Sequence, residues 1–339
     1  MRSEISRREF VAGLGVLAAS APLFAGTTEN SLGASSMQAS GAPFAPRLDK
    51  SPFKIAVIND EISQDLGHAC EVASQQLGMG WMELRSMWDK NIANLDEKEI
   101  AEAQAILKKN NLRVTDIASP LFKVDWPNAP KSKFSPKHDS FNASFTYEQQ
   151  GEVLERSIAL AKKFGTDRIR CFDFWRLDDQ APHRAAINET LQKAAEKVGE
   201  SGLILILENE AACNTATGAE AAKVLSGVPS RSFMLNWDPG NAATLGEIPY
   251  PDGYKLLPKG RIGHCHCKDA AKIANGSYEW AAMGKGTIDW VGQFGALKRD
   301  GYHHVVSLET HWRGAGTPEK STLESWAGMK DALQKAGAL

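Results

Sequence analysis

The chain has 339 residues, with 39 Lys+Arg against 41 Asp+Glu, a formal charge of −2 and a hydrophobic fraction of 42%. That length suits one large α/β barrel of roughly 250 residues plus extensions, and the missing basic surplus argues against nucleic acid as a partner. No apolar run reaches the roughly 20 residues that span a bilayer, so no stable membrane anchor is expected.

The first residues read as an address. Ser6-Arg7-Arg8-Glu9-Phe10 precedes an apolar, small-residue stretch from Val11 to Ala25, the pattern of a twin-arginine export signal. Residues 1–34 are read as that signal and the start of a linker, with cleavage after Ala25 or Ala34, and residues 35–52 as flexible linker. The Ser/Gly/Ala/Pro-rich stretch that ends near Pro52 has too few large apolar groups to offset its ordering entropy. Residues 53–339 form the folded domain, and the protein is expected to act in the periplasm or elsewhere outside the cytoplasm.

From Phe53 onward, short β-branched or apolar runs alternate with longer amphipathic ones, the pattern of repeated βα units. Strands are predicted at Lys54–Asn59, Trp81–Arg85, Arg113–Ser119, Arg168–Phe172, Leu203–Glu208, Phe233–Asp238, Ile262–Lys268 and His304–Glu309. Helical periodicity covers Asp65–Leu77, Glu97–Asn110, Tyr147–Phe164, Pro182–Glu200, Gly218–Leu225, a short piece near Tyr254, Trp290–Lys298 and Pro318–Lys335. Gly78, Gly165 and Gly202 stand where helices stop. Eight units without a Gly-rich phosphate turn point to a closed (β/α)₈ TIM barrel in a single domain, with an open doubly wound sheet as the alternative. Gly240 and Gly284-x-Gly286 lack the spacing of a dinucleotide fingerprint, so no nicotinamide cofactor is implied. The segment Pro120–Phe145 follows the third strand on the mouth side and is read either as a lid or as a surface insertion.

Catalytic groups in such barrels sit where strands end. Strands five to eight close in Glu208, Asp238, His264-Cys265-His266 and Glu309. A carboxylate placed directly after an apolar strand is buried at the rim, where lack of a partner costs several kcal/mol; a shared cation removes that cost. Glu208, Asp238, His266 and Glu309 are therefore read as the ligands of one divalent metal. Strand alternation puts both histidines of the His264–Cys267 run on one side and both cysteines on the other, which excludes a Cys₂His₂ zinc site. His266 lies level with the acids; His264 sits one layer below, as a donor to that layer or as an ordinary buried histidine. Three carboxylates and an imidazole suit Mn²⁺, Mg²⁺ or Co²⁺, with Zn²⁺ also compatible. A metal so held stabilises the enediolate formed when a carbon next to a carbonyl loses its proton. Glu208 and Glu309 are the candidate catalytic pair that removes and returns that proton. Five cysteines are an odd number, spread without the spacing of a disulfide scaffold, so at least one thiol stays unpaired.

The strand ends "LILENE", "NWDPGN", "HCHCKD" and "VSLETHW", with "NDEIS" at strand one and "MELR" at strand two, resemble the xylose-isomerase-like barrels known as sugar phosphate isomerases/epimerases. The resemblance runs from about Phe53 to the C-terminus. It implies the same four metal ligands, the two glutamates as acid–base pair, and Lys268, Asp269 and Glu83 beside the substrate. Ketose 3-epimerases of the group carry a histidine where Asn241 stands, and an arginine after the strand-seven histidine where this chain has Lys268 or Lys272. Those departures set the chain apart from plain 3-epimerases, and the same Asn241 separates it from the three-zinc apurinic endonucleases.

Phosphorylated sugars are scarce outside the cytoplasm, so a neutral sugar, keto-sugar, inositol or glycoside-derived ketone is the expected substrate. Trp88, Trp126, Trp175, Trp237 and Trp312 fall near strand ends or mouth loops, where an indole can pack on a sugar's C–H face. Arg85, Lys268 and His311 are candidates for hydroxyl recognition. The reaction expected first is isomerisation or epimerisation. The alternatives are a lyase or dehydratase acting on a 3-keto-glycoside or inositol-type ketone, and a non-catalytic sugar-binding barrel. A homodimer is compatible with the family.

Overall fold

A computed structural model describes residue 48, residues 50–127, 129–135 and 143–339. The expected export signal and most of the expected linker lie outside the described residues, as does part of the segment read as a lid or a surface insertion.

Eight parallel strands build the barrel: β1 Lys54–Val57, β2 Trp81–Leu84, β3 Arg113–Leu121, β4 Arg168–Cys171, β5 Ile204–Glu208, β6 Phe233–Trp237, β7 Ile262–Cys267 and β8 Val305–Leu308. Their order around the sheet is β1-β8-β7-β6-β5-β4-β3-β2, so each stave lies beside its neighbour in sequence, as right-handed βα crossovers require. A single parallel bridge, Ile58 to Glu83, joins β1 to β2 and closes the ring. Asn59 reinforces that seam: its Oδ1 accepts from the Arg85 backbone N–H at 2.9 Å and its Nδ2 donates to Ser86 O at 2.5 Å. Staves β6 and β7 are buried along their whole length, as strands covered on both faces are.

Helices surround the staves: α1 Leu66–Glu71, running on through a π turn to Gln76, α2 Glu97–Lys109, α3 Gln150–Phe164, α4 Arg184–Glu200, α5 Gly218–Gly227, α6 Pro239–Thr244, α7 Tyr254–Leu256, α8 Trp290–Arg299 and α9 Pro318–Lys335. Capping boxes start α2 (Asp96 with Glu99) and α5 (Thr217 with Glu220). Gly165 ends α3 at φ +68°, a conformation a side chain would strain. The eight staves and eight of the helices follow the sequence expectation within a few residues. The short α6 does not: six residues opened by Asp238 and Pro239 are too few to show a periodicity. Among the described residues no helix is long and apolar enough to cross a membrane.

The amino-terminal floor of the barrel carries its own charges. Trp81 lies between Lys54, whose Nζ is 4.7 Å from the ring centroid, and the Arg113 guanidinium at 3.8 Å. Arg168, 3% exposed, donates from Nε to Gly263 O at 3.0 Å, pairs with Asp167, and places an NH2 3.0 Å from His304 Nδ1. Burial, then the Arg168 charge, push the His304 imidazole down to about 4, so its ring accepts this hydrogen bond in the neutral form.

All five cysteines are buried free thiols. Cys265 and Cys267 face the helices while His264 and His266 face the barrel interior, as strand alternation requires.

Candidate active site

Glu208, Asp238, His266 and Glu309 meet at the carboxyl ends of β5 to β8, with one candidate ligand atom from each lying within 4.8 Å of the others. All four are at most 2% exposed. His266 Nδ1 faces the three acids, 3.4 Å from Glu208 Oε1, 3.6 Å from Asp238 Oδ2 and 3.2 Å from Glu309 Oε2, and has no hydrogen bond. Asp238 divides its carboxylate: Oδ1 caps α6 by accepting from the Asn241 N–H at 2.8 Å, whereas Oδ2 faces the cluster and pairs with the Lys268 ammonium at 2.9 Å. An acid that reads as a helix cap thus also presents its second oxygen to a cation.

Cations hold these acids in place. Lys268 Nζ lies 2.9 Å from Asp238 Oδ2 and 2.6 Å from Glu309 Oε2. Its stem passes Gly240 so closely that a Cβ there would stand 2.5 Å from Lys268 Cγ, which explains the glycine after Pro239. Arg170 NH1 donates to Glu208 Oε2 at 3.1 Å, and Asn241 Nδ2 to Glu208 Oε1 at 3.3 Å. Arg85 donates to Glu309 Oε1 at 2.7 Å, to Glu61 Oε1 at 2.6 Å and to Asp60. His311 Nε2 stands 3.1 Å from Glu309 Oε1. Burial raises the Glu208 carboxyl, but the charges of His266 and Arg170 outweigh it and hold the group down to about 2. For Glu309, burial is likewise overcome, by Lys268, His311 and His266, so that it too stays ionised.

Beneath this layer Glu83 is fully buried, with Oε1 3.0 Å from His266 Nε2 and Oε2 3.1 Å from His264 Nε2. His264 also faces Asp116, with Nδ1 3.7 Å from Oδ1.

The donors fit a divalent cation. Three buried carboxylates converge around His266 Nδ1, which has no hydrogen bond, and the Lys268 ammonium already sits on two of them, so the cluster is built to hold positive charge. Oxygen donors with one imidazole match hard to borderline ions.

Several expectations need correction. Glu83 was placed beside the substrate, but it is fully buried and its two oxygens end on His266 Nε2 and on the Nε2 of the equally buried His264. Asp269 turns away from the mouth; its carboxylate accepts from the backbone N–H groups of Ala270, Gly284, Gly286 and Ile288, so the Gly284-Lys-Gly286 turn closes on it rather than on the four-residue cluster. Trp237 is fully buried and donates to Gln293 Oε1 at 3.0 Å, because alternation sends it to the helical side of β6. Arg85 is engaged by three acids and positions Glu309. Asn241 and Lys268 do touch the acids, and His311 does so from a half-exposed position; the Trp312 ring lies against Gly314.

Sequence reasoning missed Arg170, Glu61 and Trp280. Arg170 was detectable, because Arg168 and Arg170 alternate with the apolar Ile169 and Cys171 in a buried stave, so both arginines share the face that enters the barrel. Trp280 comes from a hairpin arm, Asp269–Lys272 with Tyr278–Ala281, and lies edge-on to His311 at 5.1 Å with Lys268 Nζ 5.1 Å from its ring centroid.

Among solved structures, the chain resembles the IOLI protein with a bound zinc atom at 15% identity, covering 84% of this chain and all of that one (100%), TM-score 0.67. It resembles a probable 3-DHS dehydratase from Bacillus anthracis at 18% identity, covering 82% and 97%, TM-score 0.61. It also resembles 3-keto-D-glucoside 4-epimerase from E. coli at 17% identity, covering 82% and 99%, TM-score 0.59. At these identities the likeness is one of fold. No curated protein matches the sequence. The family model for the xylose isomerase-like TIM barrel matches residues 72–332, and with eight parallel staves in ring order the chain belongs to that family.

Proposed function

We propose that this protein is an exported, divalent-metal-dependent isomerase or epimerase that acts on a neutral sugar or keto-sugar by moving a proton on a carbon next to a carbonyl. The observation that carries the reading is the convergence of Glu208, Asp238, His266 and Glu309 with His266 Nδ1 left bare among the acids. These four would hold the ion, with Mn²⁺, Mg²⁺ or Co²⁺ favoured and Zn²⁺ compatible. When bound, such an ion supplies Lewis acidity for the negative charge that builds on the substrate carbonyl as the proton leaves.

The chain's own groups perform the proton transfer. Glu208 and Glu309 come from β5 and from the end of β8, separated around the ring by β6 and β7. Both are held ionised by their cationic neighbours, so either carboxylate can take the proton; the carboxylic acid so formed returns it to the adjacent carbon, which gives isomerisation, whereas delivery to the opposite face requires the other glutamate first to take up a proton from solvent. Arg170 and Arg85 fix the two carboxylates from behind. Neutrality of the substrate is supported by pairing: Arg85, Arg170, Lys268, Lys123 and Arg313 each already meet a carboxylate. A phosphate would have to compete with those acids.

A second reading, elimination from a 3-keto-glycoside, is favoured by Lys268 and His311, whose nitrogens sit on Glu309 and could protonate a departing oxygen. Incubating metal-loaded protein with neutral ketoses and 3-keto-glycosides in D₂O, followed by NMR, separates the readings. Deuterium next to the carbonyl in a recovered sugar supports isomerisation or epimerisation; loss of the aglycone supports elimination; no exchange with any carbohydrate removes the proposal. For export, the double substitution Arg7→Lys, Arg8→Lys should retain the protein in the cytoplasm on fractionation.

A further inference from the structure

Glu83 lies in the barrel interior beneath the rim, and both of its oxygens end on imidazole nitrogens, His266 Nε2 at 3.0 Å and His264 Nε2 at 3.1 Å. All three side chains are fully buried. A carboxylate offers only acceptors, so the shared arrangement requires a proton on each Nε2. With Nε2–H committed to Glu83, the lone pair that His266 can present is at Nδ1, the nitrogen that faces Glu208, Asp238 and Glu309 and has no hydrogen bond. Asn236 is compatible with the same assignment. Its Nδ2 stands 3.1 Å from His266 Nε2 and its Oδ1 has no partner, and exchanging the two amide atoms gives both Oδ1 a donor and Nε2–H a second acceptor.

We propose that Glu83 is a positioning residue that selects the Nε2–H tautomer of His266, so that Nδ1 alone is the metal-binding nitrogen, and that it couples His264 to the same task. This rests on the four-ligand reading above. His264 takes the second carboxylate oxygen, and with both oxygens engaged at right-angled rings, 87° between planes, the carboxylate cannot rotate away from His266. A carboxylate behind a metal-bound imidazole orients the ring and raises its basicity, and losing such a partner typically weakens metal binding about 10- to 100-fold.

The test uses the full-length protein with Co²⁺ as probe and ¹⁵N-histidine labelling. Long-range ¹H–¹⁵N spectra of the Zn²⁺-loaded wild type should show His266 protonated at Nε2. Glu83→Gln, in which one amide replaces an acceptor by a donor, should weaken Co²⁺ binding about 10- to 100-fold and shift the visible Co²⁺ bands, whereas Glu83→Asp should recover part of the affinity. A Zn²⁺-loaded wild-type His266 protonated at Nδ1 overturns the inference and needs no variant. So does a folded Glu83→Gln that binds Co²⁺ as tightly as wild type with an unchanged spectrum. Wild-type protein that binds no Co²⁺ at all overturns the four-ligand reading itself, which keeps the two failures distinct.

Discussion

The two ends of the barrel both carry charge, to different purpose. On the floor, each cation has partners: Lys54 and Arg113 lie over the Trp81 ring, and Arg168 ends on Gly263 O, Asp167 and His304. None of these side chains has a bare buried polar atom. At the rim, buried carboxylates from three staves converge on His266 Nδ1, which remains without a hydrogen bond. Burial of charge is therefore a poor marker of function by itself, whereas buried polar atoms aimed together and left unmet mark a place prepared for something else.

That contrast can be broken most directly at the rim. Glu208→Gln or Glu309→Gln should lower turnover on the order of 10²- to 10⁴-fold in steady-state assays; a loss smaller than tenfold would remove these groups from proton transfer. Stripping the ion with a chelator should then cost about 2.7 kcal/mol of stability if the ion had been present at a hundred times its dissociation constant. The denaturant midpoint reads this cost, and His266→Ala should already have lost it.

At the floor the expected pattern reverses. Arg168→Met should destabilise by about 1–3 kcal/mol, since Gly263 O and His304 Nδ1 lose their donor, while the folded fraction keeps its turnover. The smallest effect is in pH. His304 has a folded value of about 4 against an ordinary 6.5, so the unfolded chain takes up the proton first. Its contribution to stability is whole above pH 6.5 and is lost as pH falls toward 4. His304→Asn should flatten the urea midpoint across that window, and an unchanged slope would assign the acid sensitivity elsewhere.

The architecture was legible because the staves are short apolar runs bracketed by stops such as Gly165 and Gly202, and because side chains alternate strictly along a strand. The same regularity exposed the acids at the ends of β5 and β8 and the inward histidines of β7. Alternation applied to β6 would also have sent Trp237 outward to Gln293. Other features had no local signature. Glu61 and Trp280 arrive from a short helical turn and a hairpin arm, and their contacts with Arg85 and His311 join residues far apart in the chain. Asp269 sits beside the cluster in sequence, yet four backbone donors on the following loop outcompete the mouth for its carboxylate.

The lone bridge between β1 and β2 has a consequence for how the molecule breathes. Glu83, whose backbone fastens the thinnest joint in the hoop, is also the side chain that grips His266. Any gaping of that joint should slacken the imidazole, and an ion seated on the imidazole should in turn draw the hoop tight. Amide hydrogen exchange at Glu83, with Ile58, whose N–H goes to Leu308 O across the other edge of β1, as the reference, would register this linkage as slower opening once the ion is present.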